Sequence, residues 1–239
     1  MKASKAIVAV AGVFLAGWMA GTVRADFTLT GNQQFTVNNQ ASLSGYLYDF
    51  SRVDIVTGGS LYQMYAFDSS TVHMSGGSVG DYLYAYNSST VDISGGNMKY
   101  LHMRDSSIGN MSDGGVEVLS AGDASVVVIT GGAVGRINCT QSAIVNISGG
   151  SMGQDMDVIG TGHVTFDARN FVLGNGLTLD GARILGTGIL SGEWFDGTPW
   201  ALSIRTNQGP ILLVPEPATL SLLALGVLAV LRRRSKRLW

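Results

Sequence analysis

The feature that most constrains the fold of this 239-residue chain is an internal repeat of about 18 residues. Paired glycines recur six times, and an Asp or Asn, replaced once by Gln and once by Gly, recurs with the same period. A fixed period of this length indicates one structural unit stacked repeatedly on itself. The glycine pairs begin at Gly58, Gly76, Gly95, Gly114, Gly131 and Gly149, and the polar marker stands at Asp49, Asp68, Asn87, Asp105, Asp123, Gln141 and Gly160.

Within each repeat, apolar and polar residues alternate, which predicts short β-strands. In residues 90–94, Val91 and Ile93 point to one side and the polar residues to the other. A second strand precedes the polar marker, and a third short segment follows the glycine pair. The inward positions are Val72, Met74, Val127, Ile129, Val145 and Ile147 in the first strand, Leu83, Ala85, Leu101, Met103, Leu119, Ala121, Ile137 and Cys139 in the second, and Leu61, Val79, Met98, Val134 and Met152 in the third.

Two or three strands per repeat predict an all-β fold, a single-stranded parallel β-helix, or β-solenoid, which we expect to be right-handed. Coils stacked about 4.8 Å apart would join their apolar side chains into one core. The glycine pair would form one corner with positive φ, and the Asp/Asn marker would form the opposite corner by hydrogen-bonding its own turn. The alternative is an antiparallel sandwich or up-and-down barrel, which would give irregular spacing. The weakest coil contains Gly109 at an inward position.

The formal net charge of −2 conceals an uneven distribution. Basic residues crowd the two ends, while residues 26–217 hold 7 basic and 17 acidic side chains. An anionic body argues against nucleic acid as a partner, because such proteins must neutralise phosphates. The single cysteine, Cys139, excludes an intrachain disulfide scaffold and a Cys-rich metal site, and its inward position indicates a buried thiol.

The N-terminal 25 residues have the organisation of a secretory signal peptide. Lys2 and Lys5 precede an apolar stretch over 6–20, and small residues stand at the −3 and −1 positions of a cleavage site. We expect signal peptidase to cut between Ala25 and Asp26. A retained membrane anchor is the alternative.

The C-terminal segment 214–237 has three consecutive parts. Pro215, Glu216 and Pro217 are followed by an apolar segment at 218–231, where we expect a transmembrane helix, and then by a basic cluster that begins with Arg232, Arg233 and Arg234. This arrangement resembles the PEP-CTERM sorting signal of Gram-negative bacteria. The resemblance implies processing by exosortase, transient anchoring in the inner membrane, and sorting to the cell surface or an exopolysaccharide matrix. An ordinary single-span anchor is the alternative.

The chain therefore divides into four segments: a signal peptide at 1–25, solenoid repeats at 26–167, terminal β coils or a cap at 168–213, and the sorting signal at 214–237. The first coils, at 27–50, are degenerate, and we expect them to close one end. Trp194, Phe195 and Trp200 are expected to cover the last coil.

One outward face carries an unusual concentration of aromatic residues. If Leu83 and Ala85 face inward, Tyr84 and Tyr86 face outward, and the equivalent positions in the two preceding coils are also aromatic. Exposed aromatic rings suit binding to sugar rings or to a partner. The alternatives are that this face is covered by the N-terminal segment or that the rings simply stabilise the sheet. The candidate residues are Tyr46, Tyr48, Tyr65, Phe67, Tyr84 and Tyr86, with His102 and Arg104 next in line.

A second outward row holds Asp54, His73, Asp92 and Asn110. A histidine between two carboxylates can bind a metal or transfer protons, but a solvated polar ladder is the simpler interpretation. The sequence contains no recognised catalytic motif. We therefore expect a non-enzymatic structural or adhesive protein with no metal site and no cofactor, and exopolysaccharide as a candidate partner. The alternatives are a carbohydrate-active enzyme of the lyase or hydrolase type and, less well supported, an ice-binding solenoid.

Overall fold

A computed structural model describes residues 26–39 and 41–214, and all the secondary structure in these residues is β. The predicted signal peptide at 1–25, the apolar segment at 218–231 and the basic cluster lie outside them. Among the described residues, no helix is long and apolar enough to cross a membrane. The strands are β1 Phe27–Leu29, β2 Gln34–Val37, β3 Ala41–Leu47, β4 Arg52–Ile55, β5 Ser60–Ala66, β6 Thr71–Ala85, β7 Thr90–Met103, β8 Ile108–Ala121, β9 Val126–Ile129, β10 Ala133–Cys139, β11 Ile144–Ile147, β12 Ser151–Val158, β13 His163–Asp167, β14 Arg169–Leu173, β15 Leu177–Asp180, β16 Arg183–Gly186, β17 Gly188–Glu193, β18 Pro199–Asn207 and β19 Ile211–Val214.

The repeat forms a β-solenoid of about 8 turns, as its period predicts. Each of the strands β3 to β11 pairs in parallel with the equivalent strands one coil before and one coil after it. Leu83, for example, lies between Met64 and Leu101 in the ladder. Sandwiches and up-and-down barrels of antiparallel strands would not show this parallel pairing, so both alternatives are excluded for this part of the chain.

The core consists of the inward positions that the alternation identified. All of them are buried, from Leu61 and Val72 in the early coils to Met152 in a late one. At Gly109 the core lacks a side chain, and the end of the Met103 side chain fills the space instead. A β-carbon built on Gly109 would lie 3.3 Å from the Met103 Cε atom. The weakest repeat is therefore packed by a neighbour from the same coil.

At the glycine corner, one glycine of each pair has positive φ. In Gly114 φ is +91°, and a β-carbon there would lie only 2.7 Å from the carbonyl oxygen of Gly96 in the preceding coil. Glycine is therefore required both by the backbone conformation and by the close approach of two coils. The equivalent glycines are Gly58, Gly77, Gly96, Gly132 and Gly150.

The Asx corner differs from the expectation in one respect. Its residues have positive φ, such as +57° at Asp68, but their side chains bond the preceding coil rather than their own turn. Each accepts a hydrogen bond from the main-chain N–H of the equivalent residue one coil earlier. The turn is closed instead by its own backbone, as where the Ser70 N–H donates to the Phe67 carbonyl. The ladder runs Gly31 to Asp49 (2.8 Å), Asp49 to Asp68 (3.1 Å), Asp68 to Asn87 (3.1 Å), Asn87 to Asp105 (2.8 Å), Asp105 to Asp123 (3.2 Å) and Asp123 to Gln141 (2.7 Å).

Two residues after the marker, a fully buried serine recurs in five coils, and Ala143 occupies the same position in the sixth. The serines are not equivalent. Ser107 Oγ accepts a hydrogen bond from the Arg104 N–H at 3.0 Å, whereas Ser89 Oγ has no partner among the described residues. A buried hydroxyl without a partner has lost its hydration without compensation.

We expect Ser89→Ala to leave the free energy of unfolding unchanged or to raise it, because it removes an unsatisfied polar group. The matched variant Ser107→Ala should lower it by about 1 kcal/mol, because a hydrogen bond is lost. Urea denaturation followed by circular dichroism measures both. Equal destabilisation by the two substitutions would contradict the assignment.

Aromatic rings lie at both ends of the core. At the N-terminal end, Phe27 packs against Phe35 with ring centroids 4.9 Å apart, and Gly45 leaves room for the Phe27 ring. Although their sequence is degenerate, these first strands keep the structural repeat. Strands β1 and β2 pair in parallel with β3 and β4 at an offset of 18 residues, as in Phe27 with Gly45.

The C-terminal end is built differently. Strands β18 and β19 return in parallel beside β12 and β13, while β14 to β17 form antiparallel pairs beyond them. The Trp200 ring lies between Phe166 and Trp194, each 4.9 Å away by centroid. Trp194 and Trp200 thus cover the last coil as expected, but Phe195 does not, because it is 42% exposed.

Candidate ligand-binding surface

Nine aromatic side chains, His102 included, form three parallel columns on one outward face, hereafter the aromatic surface. Stacking of one coil on the next brings equivalent side chains together, so that Tyr46 and Tyr65 have centroids 5.0 Å apart and planes only 4° from parallel. The first column is Tyr46, Tyr65, Tyr84 and His102, the second is Tyr48, Phe67 and Tyr86, and the third is Tyr82 and Tyr100.

The spacing within a column fixes how the rings are oriented. Two parallel rings whose centres are 5.0 to 5.4 Å apart cannot lie side by side in one plane, because their carbon atoms would overlap. Each ring must therefore cover part of its neighbour's face, in the offset stack that aromatic pairs prefer. The columns consequently turn ring edges and phenol hydroxyls outward. The ring faces within a column are therefore covered by neighbouring rings.

The structure brings all six aromatic residues predicted from the sequence onto this surface. The sequence interpretation missed Tyr82 and Tyr100, whose rings stack at 4.9 Å. The signal was present, because they precede Tyr84 and His102 by two residues, and alternation places such pairs on the same face.

Burial and neighbouring tyrosines raise the pKa of two central tyrosines, Tyr65 and Tyr84. The Tyr65 hydroxyl donates to Gln63 Oε1 at 3.1 Å, and Gln63 in turn donates to Asp81 at 3.2 Å. Burial first, and neighbouring tyrosines second, raise the pKa of Tyr65. The pKa of Tyr84 is raised by the same causes in the same order. At neutral pH both hydroxyls therefore keep their protons, and the Tyr65 oxygen, whose hydrogen is donated to Gln63, can still accept a hydrogen bond.

His102 ends the first column as an uncharged ring. Burial, and then the nearby Arg104 charge, lower the pKa of His102. Both of its ring nitrogens are buried without a partner among the described residues. Beyond His102 and Arg104 the positions become Ser120 and Gly122, so the aromatic surface ends there.

The second candidate row separates into two pairs. Asp54 receives a salt bridge from Arg52, which the sequence interpretation had not included, and lies 3.2 Å from His73 Nδ1. Hydrogen bonding from Arg52 is the main cause of the lowered pKa of Asp54. Asp92 instead accepts a hydrogen bond from Asn110 at 2.8 Å. Along the described chain, no three His, Cys, Asp or Glu side chains are grouped so as to hold a metal ion.

The single cysteine lies where its inward position predicted. Cys139 is fully buried, its thiol donates to the Ala143 carbonyl at 3.3 Å, and burial raises its pKa to about 12. A thiol with so high a pKa is protonated at neutral pH and is a poor nucleophile.

The chain continues beyond β19 directly into the segment that carries Pro215, Glu216 and Pro217. Residues 213–236 match the PEP-CTERM protein-sorting motif. The motif indicates export, processing by exosortase and sorting to the cell surface. Comparisons with curated proteins and with solved structures gave no significant match to any part of the chain.

Proposed function

We propose that the mature protein is a non-enzymatic structural or adhesive component of the cell surface or extracellular matrix, and that it binds exopolysaccharide through the aromatic surface. In this proposal, signal peptidase removes residues 1–25. The apolar segment at 218–231 then holds the exported chain in the inner membrane of a Gram-negative bacterium until exosortase acts. The solenoid is the part that remains and meets the polymer.

The observation that carries the binding proposal is the set of three stacked columns. Because each ring is held by its neighbours, its side chain loses little further freedom when a ligand binds. The exposed phenol hydroxyls recur at the coil spacing, so they can bond successive hydroxyls of an extended polymer. The body carries a formal charge of −10 over residues 26–217, which favours a neutral polysaccharide over an anionic one.

Substitution of two central tyrosines tests this proposal. Replacing both Tyr65 and Tyr84 by Phe keeps the stacking but removes two hydroxyls. At about 1 kcal/mol per hydrogen bond, affinity for a bound neutral polysaccharide should fall roughly 30-fold. Replacing both by Ser should reduce it further. The measurement is retention of the protein on a panel of immobilised neutral and anionic polysaccharides, with released products scored in the same assay.

Tyr62 supplies the matched control, because it is 52% exposed and takes part in none of the three columns. Tyr62→Phe should leave retention unchanged. Unchanged retention of the double Ser variant, with its circular dichroism spectrum intact, would refute binding through the aromatic surface. Release of shortened products would favour the carbohydrate-active alternative instead.

A further inference from the structure

The cap is defined here as β14 to β17 together with the loops between them and the turn at 194–198. It lies at the end of the solenoid from which the sorting segment leaves. Its strands continue the ladders outward, in the order β18, β17, β14 on one side and β19, β16, β15 on the other. Strands in a sheet are about 4.8 Å apart, so β14 and β15 project about 10 Å beyond the last coil.

The connection from the folded body to the sorting segment is short. Val214 is the last residue of β19 and pairs with Asp167 of β13, so the chain is still part of the solenoid at that point. Only residues 215–217 separate it from the apolar segment that begins at Ala218. Whatever its conformation, this connection spans at most about 14 Å between the α-carbons of Val214 and Ala218.

From these two lengths we infer that, before processing, the cap rests against the bilayer surface and its exposed apolar side chains contact lipid. The inference relies on the proposed membrane anchoring of residues 218–231. With Ala218 at the edge of the hydrocarbon and the solenoid axis upright, a cap that projects about 10 Å comes within about 4 Å of the hydrocarbon. The headgroup region is about 5 to 7 Å thick on each side, so the cap enters it. Tilting the axis brings one flank of the cap closer still.

The distribution of exposed apolar side chains supports this contact. Of the eleven large apolar residues that are exposed in the described chain, five lie in the cap, residues 169–198, which holds about a sixth of it. Val172 is 61% exposed and Ile189 is 59% exposed. Side chains of this kind gain free energy at a lipid interface in proportion to the area they bury. The five are Val172, Leu179, Leu185, Ile189 and Phe195.

Spin labels can measure the contact directly. The mature chain, residues 26–239, carries Cys139→Ala, since Ala is native at the equivalent positions Ala85 and Ala121. A single new cysteine, Val172→Cys or Ile189→Cys, is labelled with a nitroxide, and the chain is reconstituted into phosphatidylcholine–phosphatidylglycerol vesicles. Oxygen concentrates in the bilayer, whereas a water-soluble nickel chelate stays outside it. The ratio of nitroxide relaxation by oxygen to nitroxide relaxation by the chelate therefore rises with the depth of the label in the bilayer.

We expect this ratio to be several-fold higher at both cap positions than in the control Tyr62→Cys. Tyr62 is similarly exposed, at 52%, but lies in β5, six coil steps from β18 and so about 29 Å away. Inserting ten Gly/Ser residues between Val214 and Pro215 adds a flexible spacer of about 17 Å root-mean-square length. The ratio at the cap should then fall to the value at Tyr62.

Three results would overturn the inference, and they are distinguishable. If the chain floats with the vesicles but the ratio at both cap positions equals that at Tyr62, the chain is anchored without contact between cap and lipid. This result overturns the inference but leaves the proposed anchoring in place. If the ratio at the cap stays high after insertion of the spacer, the short connection is not what holds the cap against the bilayer, and the inference is overturned in that respect. A chain that does not float with the vesicles refutes the proposed anchoring and the inference together.

Discussion

Replacement of Gly114 by valine is expected to destabilise the solenoid strongly. Gly114 has φ of +91°, a conformation that L-residues avoid at a cost of about 1 to 2 kcal/mol and that β-branched residues avoid most strongly. A β-carbon would also lie 2.7 Å from the Gly96 carbonyl oxygen, which belongs to the backbone of the preceding coil and cannot swing aside. Together these effects should cost at least about 3 kcal/mol, a large part of the stability of an ordinary domain.

Gly109 provides the control, because it lies in the same repeat at a strand position without positive φ. A β-carbon there would lie 3.3 Å from the flexible end of the Met103 side chain and in ordinary contact, at 3.6 Å, with Val127 Cγ1. Gly109→Ala should therefore change the free energy of unfolding by less than about 1 kcal/mol. Urea denaturation of both variants, monitored by circular dichroism, makes the comparison. Equal midpoints for Gly114→Val and Gly109→Ala would show that the corner does not require glycine.

Removal of the Trp200 ring should be nearly as damaging. Trp200 is 5% exposed, and its ring fills the space between Phe166 of the last regular coil and Trp194 of the cap. Trp200→Ala should cost about 3 to 5 kcal/mol, as for other large aromatic truncations in cores. It should also open the end of the core to water, so aggregation should rise along with the loss of stability.

Phe195 is the matched control for this substitution, since it is an aromatic residue of the same cap that remains 42% exposed. Phe195→Ala should cost less than about 1 kcal/mol, because its ring buries little area. Urea denaturation measures the stability of each variant, and size-exclusion chromatography measures its aggregation. Similar losses for Trp200→Ala and Phe195→Ala would mean that the stacked rings do not close the core.

The inward positions show how much of the fold can be predicted from the sequence. Leu83 and Val91 were assigned to the core from alternation and period alone, and both are fully buried. The assignment succeeds because coils that stack in parallel and in register keep each position next to its own repeat. For the same reason, the period by itself places Tyr65 next to Tyr84.

The orientation of side chains is less accessible to such reasoning. Period and alternation place Tyr46 next to Tyr65 but do not say whether faces or edges are exposed, since that depends on the spacing of the coils and the contact between the rings. The same holds for Asp68, whose carboxylate accepts its hydrogen bond from the main-chain N–H of Asp49 in the preceding coil rather than from its own turn. Arg52 was missed beside Asp54 because its partner is two residues away in the same strand rather than in the repeat.

By itself, then, the sequence determined the parallel β-solenoid, its inward residues and two of the three columns of the aromatic surface, because all of these follow from nearest-neighbour stacking of one repeated unit. Only the tertiary structure decided the C-terminal end, where Asp155 of β12 pairs in parallel with Ser203 of β18 while the intervening strands run antiparallel. The parallel pairing joins segments that share no repeat and are separated by about fifty residues. No local pattern encodes such contacts, so they depend on how the whole chain closes its core.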